Sequence, residues 1–313
     1  MYIARRLLLF IPVLFGVSIL IFAGVRFVPG DVCAIVLQIP EYAPEKCQAL
    51  KHDLGMDEPV VKQYFVWMGG VLTGDFGESI ISQRSVADEI RKRTYTTMEL
   101  AFVGTVVAIA LALPIGVYGA LKQDKLPDVA GRFLTIGWLS MPSFWVGTML
   151  ITFPAIWFGY SAPVGYVQFW HDPLKNLEQI ALPAVSLSLA LSASMARLTR
   201  SSMLEVLRQD YVRTARAKGL QERTVMTKHA LKNAMLPVIT LLGLQIGFLL
   251  GGTVVLESLF SLPGLGTLLL NSVIYKDFPM IQALVLFFAV VIMVINLLVD
   301  LSYGWLDPRV RYS

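Results

Sequence analysis

The feature that most constrains this chain is a succession of apolar runs, each long enough to cross a lipid bilayer. The first extends from Leu7 to about Phe27 and contains no charged residue before Arg26. Roughly 20 apolar residues span the hydrocarbon core, so runs of this length predict transmembrane helices. Only 15% of the residues are charged and 56% are hydrophobic, whereas soluble domains average roughly 25% charged. The chain is therefore predicted to be an all-α membrane protein.

Five further apolar runs bring the prediction to six transmembrane helices. Of the 26 Lys and Arg residues, 16 fall in four segments that the alternation of spans places on one side of the membrane. Positive charge marks the cytoplasmic side, so both termini are predicted to be cytoplasmic. The first run exceeds the roughly 7 to 15 residues of a secretory signal core and is read as a retained helix. The further runs are approximately 98–120, 133–158, 180–196, 236–256 and 281–303.

The loops between these runs predict the domain organisation. Residues 1–29 form the first transmembrane helix, 30–96 an external domain, 97–304 a five-helix core and 305–313 a cytoplasmic tail. Within the external domain, residues 64–72 are apolar and aromatic but too short to span, so they lie along the interface or pack inside the domain.

The only two cysteines, Cys33 and Cys47, fall in the predicted external domain. They form one disulfide or remain two separate buried thiols, and both readings stay open. Two cysteines are too few for a four-ligand metal site.

No catalytic motif is present in the sequence. It contains no GxxxxGK[ST] nucleotide-binding loop, no HExxH and no nucleophile elbow. The three histidines lie outside the apolar runs, and no metal site is predicted. The chain is therefore predicted to be a non-enzymatic protein whose energy source is supplied by others. The positive-inside rule for orientation in the membrane is sufficient to explain the basic net charge, so no nucleic-acid partner is expected.

A polar, basic segment at 205–235 separates the fourth and fifth apolar runs. Asp210 is a suitable N-cap for a short helix, and Gly219 suits the left-handed residue that ends it. Glu222 can begin a second helix, which reaches Pro237 in the first turn of the next run. Two helices joined by a glycine turn are expected to form a rigid protrusion, or knob, that fits into a groove of a partner protein. The apolar residues proposed to enter that groove are Val225, Met226 and Ala230.

The phrases YVRTARAKGL and HALKNAMLPVIT resemble the cytoplasmic "EAA" loop of permease subunits in binding-protein-dependent ABC importers, in particular the dipeptide, oligopeptide and nickel branch. That motif has a glutamate six residues before the glycine, where this chain has Arg213. The resemblance implies a type I ABC importer permease fold and a loop that docks on an ATPase subunit. The residues assigned to ATPase coupling are Tyr211, Arg213, Ala215, Gly219, Val225, Met226, Ala230 and Pro237.

The resemblance also implies a set of partners. These are a second similar permease chain, two ATPase subunits or domains that use ATP and Mg, and an external substrate-binding protein. This chain would lie in the inner membrane among its lipids and form half of a path for di- or oligopeptides. Nickel, glutathione or another small solute is the alternative cargo.

A second phrase, ESLFSLPGLG, resembles the E-x-x-F-x-x-P-G-L-G element of the same branch. The apolar stretch that follows is shorter than a span and is interrupted by Pro-Gly, so it is expected at the interface or against a cavity. We hypothesise an outer gate or scoop, whose positions 262 and 265 would change reactivity during ATP hydrolysis. Its residues are Glu257, Phe260, Pro263, Gly264 and Gly266.

Small residues recur at four-residue spacing on two runs, which favours close helix packing in membranes. The same faces could instead slide past a partner subunit as a pore opens. These residues are Gly243, Gly247, Gly251, Ser188 and Ser192.

Two other classes of function remain open on the sequence. An ion-coupled secondary transporter or channel needs ionisable groups at mid-depth, and the apolar runs contain few of them. The third reading is a membrane anchor for a cytoplasmic complex.

Overall fold

A computed structural model describes residues 2–27 and 57–306, and these residues are mostly helical. A seven-residue π-helical turn, Val225–Leu231, joins the helix Glu222–Thr224 to the helix Lys232–Leu259. In the described part of the chain, β pairing is limited to the isolated bridge between Glu78 and Ser85. The helices are α1 Tyr2–Phe27, α2 Val60–Thr73, α3 Val86–Leu121, α4 Leu126–Ser140, α5 Ser143–Phe158, α6 Pro173–Leu207, α7 Asp210–Ala217, α8 Glu222–Thr224, α9 Lys232–Leu259, α10 Leu265–Ile274 and α11 Phe278–Leu306.

Within residues 2–27 and 57–306, five stretches of helix are long and apolar enough to cross a membrane, and a bent pair brings the number to six if it counts as one span. The five lie in α1, α3, α6, the rod that leads from α8 into α9, and α11; the pair is α4 and α5. The predicted all-α membrane fold is thus confirmed.

The predicted third span is not one continuous helix. It breaks at Met141 and Pro142, and its two halves, α4 and α5, meet at 97°. Pro142 has no N–H to donate and disfavours a helical conformation in the residue before it. Met141 accordingly has extended backbone, with φ −99° and ψ 119°.

Two other helices differ from their predicted bounds. α3 begins at Val86 rather than near 98, with Asp88 and Glu89 in its first turn, where carboxylates interact favourably with the helix dipole. α6 begins at Pro173, before the predicted 180, and it continues past 196 to Leu207, as expected for a helix that extends beyond its span. The Asp172 side chain caps its start by accepting from the Lys175 N–H at 3.1 Å.

The chain divides into two compact units, Met1–Tyr95 with Thr267–Met293 and Thr96–Gly266 with Val294–Ser313. The first unit thus includes residues 267–293, which the sequence analysis assigned to the five-helix core. The division at residues 30, 97 and 305 stays a prediction. Cys33 and Cys47 lie outside the described residues.

In the first unit, α2 packs against α1 through aromatic side chains. The ring of Phe22 lies 5.2 Å from that of Tyr64 and 5.6 Å from that of Trp67. The Tyr64 hydroxyl also makes a 2.8 Å hydrogen bond with Ser18, within the apolar part of α1. The predicted short aromatic stretch is therefore a helix that packs along a transmembrane helix.

In the second unit, α6 is the central helix and contacts α4, α5 and α9. Its residues Ile180, Leu187, Leu191 and Met195 are buried in one apolar cluster together with Leu256 of α9.

A buried ion pair also ties α4 to α6. Asp128 is almost fully buried and accepts hydrogen bonds from Arg200, one of them at 2.7 Å. The buried Asp128 carboxylate has lost its water and needs the charge of Arg200, whose side chain is 22% exposed. Apolar packing and one ion pair thus hold the helices that carry the candidate site.

Close packing of α3 on α6 generates a prediction. A Cβ at Gly116 would lie 2.6 Å from the Thr199 Cβ and 2.7 Å from the Ala196 carbonyl oxygen, closer than atoms can approach. Overpacking costs about 1–3 kcal/mol, so Gly116→Ala is expected to lower the thermal unfolding temperature of the detergent-solubilised protein. Gly137→Ala is the control, because among the described residues no atom outside its own stretch of helix lies within 4 Å of its Cβ position. Equal unfolding temperatures for the two variants would contradict the packing described.

Candidate functional site

The basic segment forms two helical pieces around a glycine turn. α7 ends at Ala217, and Gly219 has a left-handed φ of +74°. The Gly219 N–H donates to the Arg216 carbonyl at 2.9 Å, and the Leu220 N–H donates to the Ala215 carbonyl at 3.4 Å. These two bonds define a Schellman motif, in which glycine is the favoured left-handed residue. The conformation expected for Gly219 is present.

The start of this segment differs slightly from the prediction. Asp210 is the first helical residue and not the cap, since Gln209 holds the extended cap position with ψ 147°. Pro237 lies inside α9 and not in its first turn, because the helix already begins at Lys232 after the π-helical turn.

The apolar residues of the segment face inward. Val212, Ala215 and Val225 are buried together against the end of α6. Ala230 is fully buried beside Met203, and the half-buried Met226 packs on the same cluster. The hypothesis that Val225, Met226 and Ala230 enter a partner's groove is corrected for Val225 and Ala230, since fully buried side chains cannot also contact a partner.

Two hydrogen-bonded contacts on the exposed side of the segment join its helical pieces. Arg216 donates to both carboxylate oxygens of Glu222, at 2.8 and 3.2 Å, across the glycine turn. This contact raises the pKa of the Arg216 guanidinium above its ordinary value. The Asn233 amide donates to the Tyr211 hydroxyl at 2.9 Å and so joins α7 to the start of α9. Asn233 carries no signal in the sequence that would have identified it.

The surface left open to a partner centres on the turn. Tyr211 and Leu220 are each 42% exposed, the Arg213 side chain is 75% exposed, and Gly219 is also exposed. We call Tyr211, Arg213, Gly219 and Leu220 the knob surface. It combines one aromatic, one aliphatic and one basic side chain on a shape fixed by the contacts described above.

The second predicted site is organised by a buried carboxylate. Glu257 is fully buried near the end of α9 and accepts a 2.7 Å hydrogen bond from the Thr97 hydroxyl. That hydroxyl in turn accepts from the Leu265 N–H at 2.7 Å, at the start of α10. Gly264 and Gly266 lie against the same carboxylate, where a Cβ on either residue would collide with it. The turn that contains Gly264 and Gly266 therefore packs around the Glu257 carboxylate.

The proposed gate stays a prediction. Leu262 and Leu265, whose reactivity is expected to change during ATP hydrolysis, are 2% and 0% exposed in this conformation. Phe260 is also buried and packs against Gly147 of α5, while Pro263 is exposed. Of the five proposed gate residues only Pro263 is exposed, although the neighbouring Ser258 and Ser261 are exposed as well.

The small residues have different surroundings from one another. Gly243 lies directly against Val299 of α11, whereas no atom of the described residues lies within 4 Å of a Cβ at Gly251. Gly247 is half-buried. Ser188 and Ser192 are buried, and their hydroxyls donate to carbonyls of their own helix. Their proposed packing role stays a prediction.

A partly buried polar pair that sequence reasoning missed joins α6 to α9. The Gln245 amide of α9 donates to the Ser194 hydroxyl of α6 at 2.8 Å. Among the described residues, no group that could hold a metal by clustered His, Cys, Asp or Glu is found.

Comparison with known families covers nearly the whole chain. The family described as "Binding-protein-dependent transport system inner membrane component" matches residues 112–312, and "Binding-prot-dependent transport system membrane comp, N-term" matches residues 1–101. The chain belongs to this permease family. The permease is accordingly a multi-pass inner-membrane subunit of an ABC importer and not an enzyme, and ATP hydrolysis is carried out by partner ATPases.

Curated relatives match the permease from end to end. The glutathione transport system permease protein GsiC of Escherichia coli (strain K12) is 40% identical over 312 residues, covering 100% of this chain and 99% of the relative. The protein of the same name from Shigella dysenteriae serotype 1 (strain Sd197) gives the same values.

Solved structures resemble the permease in fold. The inward-facing MetNI methionine ABC transporter has a TM-score of 0.55 at 16% identity, covering 70% of this chain and 96% of that one. An amino acid ABC transporter crystallised with histidines has a TM-score of 0.51 at 16% identity, covering 68% and 92%. The likeness shows a shared ABC importer permease fold.

The Glu257 turn generates a prediction about stability. Thr97→Val deletes a donor to a buried carboxylate, which costs about 1–3 kcal/mol. A lower thermal unfolding temperature is expected for this variant, while Thr97→Ser keeps the hydroxyl and most of the stability. Thr94→Val is the matched control on the same helix, because the Thr94 hydroxyl only bonds the Ile90 carbonyl. If Thr97→Val and Thr94→Val unfold at the same temperature, the packing of the turn around Glu257 does not contribute to stability.

Proposed function

We propose that this permease forms half of the translocation path of an ATP-driven importer for small peptides, with glutathione as the first candidate. The full-length identity of 40% to glutathione permeases supports this cargo. Glutathione is itself a peptide, so the proposal also accords with the peptide-branch phrases of the sequence. Nickel or another small solute is the alternative.

The observation that carries the proposal is the fixed shape of the knob surface. The Schellman motif at Gly219, the Arg216–Glu222 pair and the Tyr211–Asn233 bond join the pieces of the segment. A docking surface that is already ordered loses little conformational entropy when it binds. An ordered surface also transmits a displacement of its partner to the helices that it packs against. Coupling to an ATPase requires such transmission.

The proposed contact with the ATPase is centred on Tyr211 and Leu220. Aromatic and partly exposed apolar side chains at the centre of a surface are the usual anchors of a protein interface. Arg213 lies beside them and supplies charge, so an acidic or polar rim on the ATPase would fit it.

The proposed assembly follows the importer family. It contains a second, similar permease chain, two ATPase subunits or domains that bind ATP and Mg, and an external binding protein. Both termini and the knob surface lie on the cytoplasmic side, as the distribution of Lys and Arg indicates. Closure of the ATPases on ATP would draw the two knobs together and shift the paired permeases from inward-facing to outward-facing.

The glycine turn generates a prediction about coupling. Proline fixes φ near −65°, whereas Gly219 has φ +74° and uses its N–H in the Schellman motif. In the reconstituted importer, Gly219→Pro is therefore expected to leave membrane insertion intact but to lower uptake at least tenfold relative to ATP hydrolysis. Gly219→Asn is the control, because asparagine tolerates the left-handed conformation. Normal uptake by Gly219→Pro would refute the role given to the turn.

The transport class is tested in proteoliposomes that contain the permease with its co-purifying subunits and binding protein. Uptake of labelled glutathione is expected to need ATP inside the vesicles and to persist when ionophores collapse ion gradients. Competition by unlabelled dipeptides, but not by nickel, would support the peptide class. Uptake driven by a proton or sodium gradient without ATP would overturn the proposal in favour of a secondary transporter.

A further inference from the structure

An apolar groove of about 580 Å³ lies within the second unit, where the two halves of the broken span meet. α4 contributes Phe133 and Trp138 to its lining, α5 contributes Trp145 and Met149, and α6 contributes Leu189. Almost all of the lining atoms are apolar. The groove therefore suits apolar side chains or hydrocarbon, and it gives a peptide cargo few partners for its amide groups.

The groove lies at the depth of the hydrocarbon layer. α6 has 35 residues and is therefore about 52 Å long, whereas the hydrocarbon core is about 30 Å thick. Leu189 lies about 24 Å from the start of α6 and about 27 Å from its end. Because both distances are shorter than the core is thick, Leu189 lies inside the core whichever part of α6 crosses the membrane. Met141, at the break between α4 and α5, lines the same groove.

The break at this depth frees backbone polar groups. The last four C=O groups of a helix and its first four N–H groups have no partner within the helix. Among the described residues, no side chain caps the start of α5, and Ser140, Met141 and Pro142 are all exposed. Irregular backbone in the hydrocarbon region is buried in protein or lines a water-filled cavity, because lipid cannot bond to it. Lipid is therefore not what covers this face.

The two tryptophans of the groove favour protein over water as its cover. Neither Trp138 nor Trp145 makes an indole N–H hydrogen bond within the described part of the chain, and a buried indole N–H usually has an acceptor. Water could accept these bonds, but it would also wet the apolar lining at a cost in free energy. A protein helix offers both apolar side chains for the groove and carbonyl or hydroxyl oxygens for the N–H groups.

The chain itself leaves this face open. Phe133 is 72% exposed and Trp145 is 44% exposed. The two stretches outside the described ranges, 28–56 and 307–313, contain no apolar run of the roughly 20 residues that cross a bilayer. The missing cover is therefore a transmembrane segment of another polypeptide.

We propose that this face binds a transmembrane helix of the second permease chain. The inference rests on the proposed function, in which two permeases act as a pair. We call Phe133, Trp138, Met141, Trp145 and Met149 the break surface. Tryptophan is a frequent anchor of protein interfaces, and methionine adapts its shape to a partner. Because α4 and α5 both pack against α6, a chain that docks here is tied to the central helix of the unit.

The first test is photo-cross-linking in the intact importer, reconstituted in lipid, with p-benzoylphenylalanine in place of Trp145 or Phe133. Irradiation is expected to join this chain to the second permease, identified by peptide mass spectrometry of the product. The matched control carries the same photoreactive residue in place of Phe144, the exposed neighbour of Trp145 that does not line the groove. This control is expected to give little of the permease product.

The second test fills the groove. Gly137 lines it, and among the described residues no atom outside its own stretch of helix lies within 4 Å of its Cβ position. Gly137→Leu is therefore expected to leave the thermal unfolding temperature of the full-length chain in detergent unchanged but to abolish co-purification of the second permease. Gly137→Ala is the control at the same position, because a methyl group leaves most of the groove open, and it is expected to keep the partner.

The outcomes separate this inference from the proposed function. Lipid adducts alone at Trp145 and Phe133, a cross-link to α1 of the same chain, or a cross-link to glutathione would each overturn the break surface as a permease interface. Unchanged co-purification by Gly137→Leu would do the same. Uptake driven by ATP is measured on the same preparations. If that uptake is normal while the permease product is absent, the interface is wrong and the function stands; if uptake does not need ATP, the function fails.

Discussion

The structure depends on the requirement that backbone N–H and C=O groups in hydrocarbon be satisfied within the protein. Long helices meet this requirement without help, which is why the described residues are almost all helical. Among the described residues, the break at Met141–Pro142 and the turn from Phe260 to Gly264 interrupt the helices beside apolar spans. At the second, side chains supply what the helix no longer does, since Thr97 accepts the Leu265 N–H and donates to Glu257.

The Glu257 turn shows how a short motif can specify a tertiary contact. A carboxylate buried in this way is tolerated only when donors surround it. Gly264 and Gly266 allow the loop backbone to approach it, because neither carries a Cβ that would occupy the same space. The spacing of glutamate, proline and glycines in the sequence therefore encodes the fold of the turn as well as any role in gating.

The sequence predicted those features that are decided locally. Apolar run length gave the helical membrane fold, and Gly219 gave a left-handed turn that ends a short helix. What it did not predict depends on contacts between distant parts of the chain. Thr97 and Glu257 are 160 positions apart, and nothing in a single sequence pairs them.

The sequence also does not distinguish buried from exposed residues in the basic segment, because burial there depends on contacts with distant parts of the chain. Val225 and Ala230 look like a docking face when the segment is considered alone, but α6 lies behind them and buries them. The two halves of the third predicted span, α4 and α5, meet at 97°, and both pack against α6, a contact that apolar run length does not predict.

The π-helical turn between α8 and α9 has a mechanical consequence. Because it replaces a loop with continuous helix, residues 222 to 259 form one rod, on the order of 55 Å long at 1.5 Å per residue. The glycine turn adjoins one end of this rod, and the Glu257 turn lies at the other. A displacement of the knob surface therefore reaches the Glu257 turn through one helical rod, in which the π-helical turn and Pro237 are the places that bend most easily.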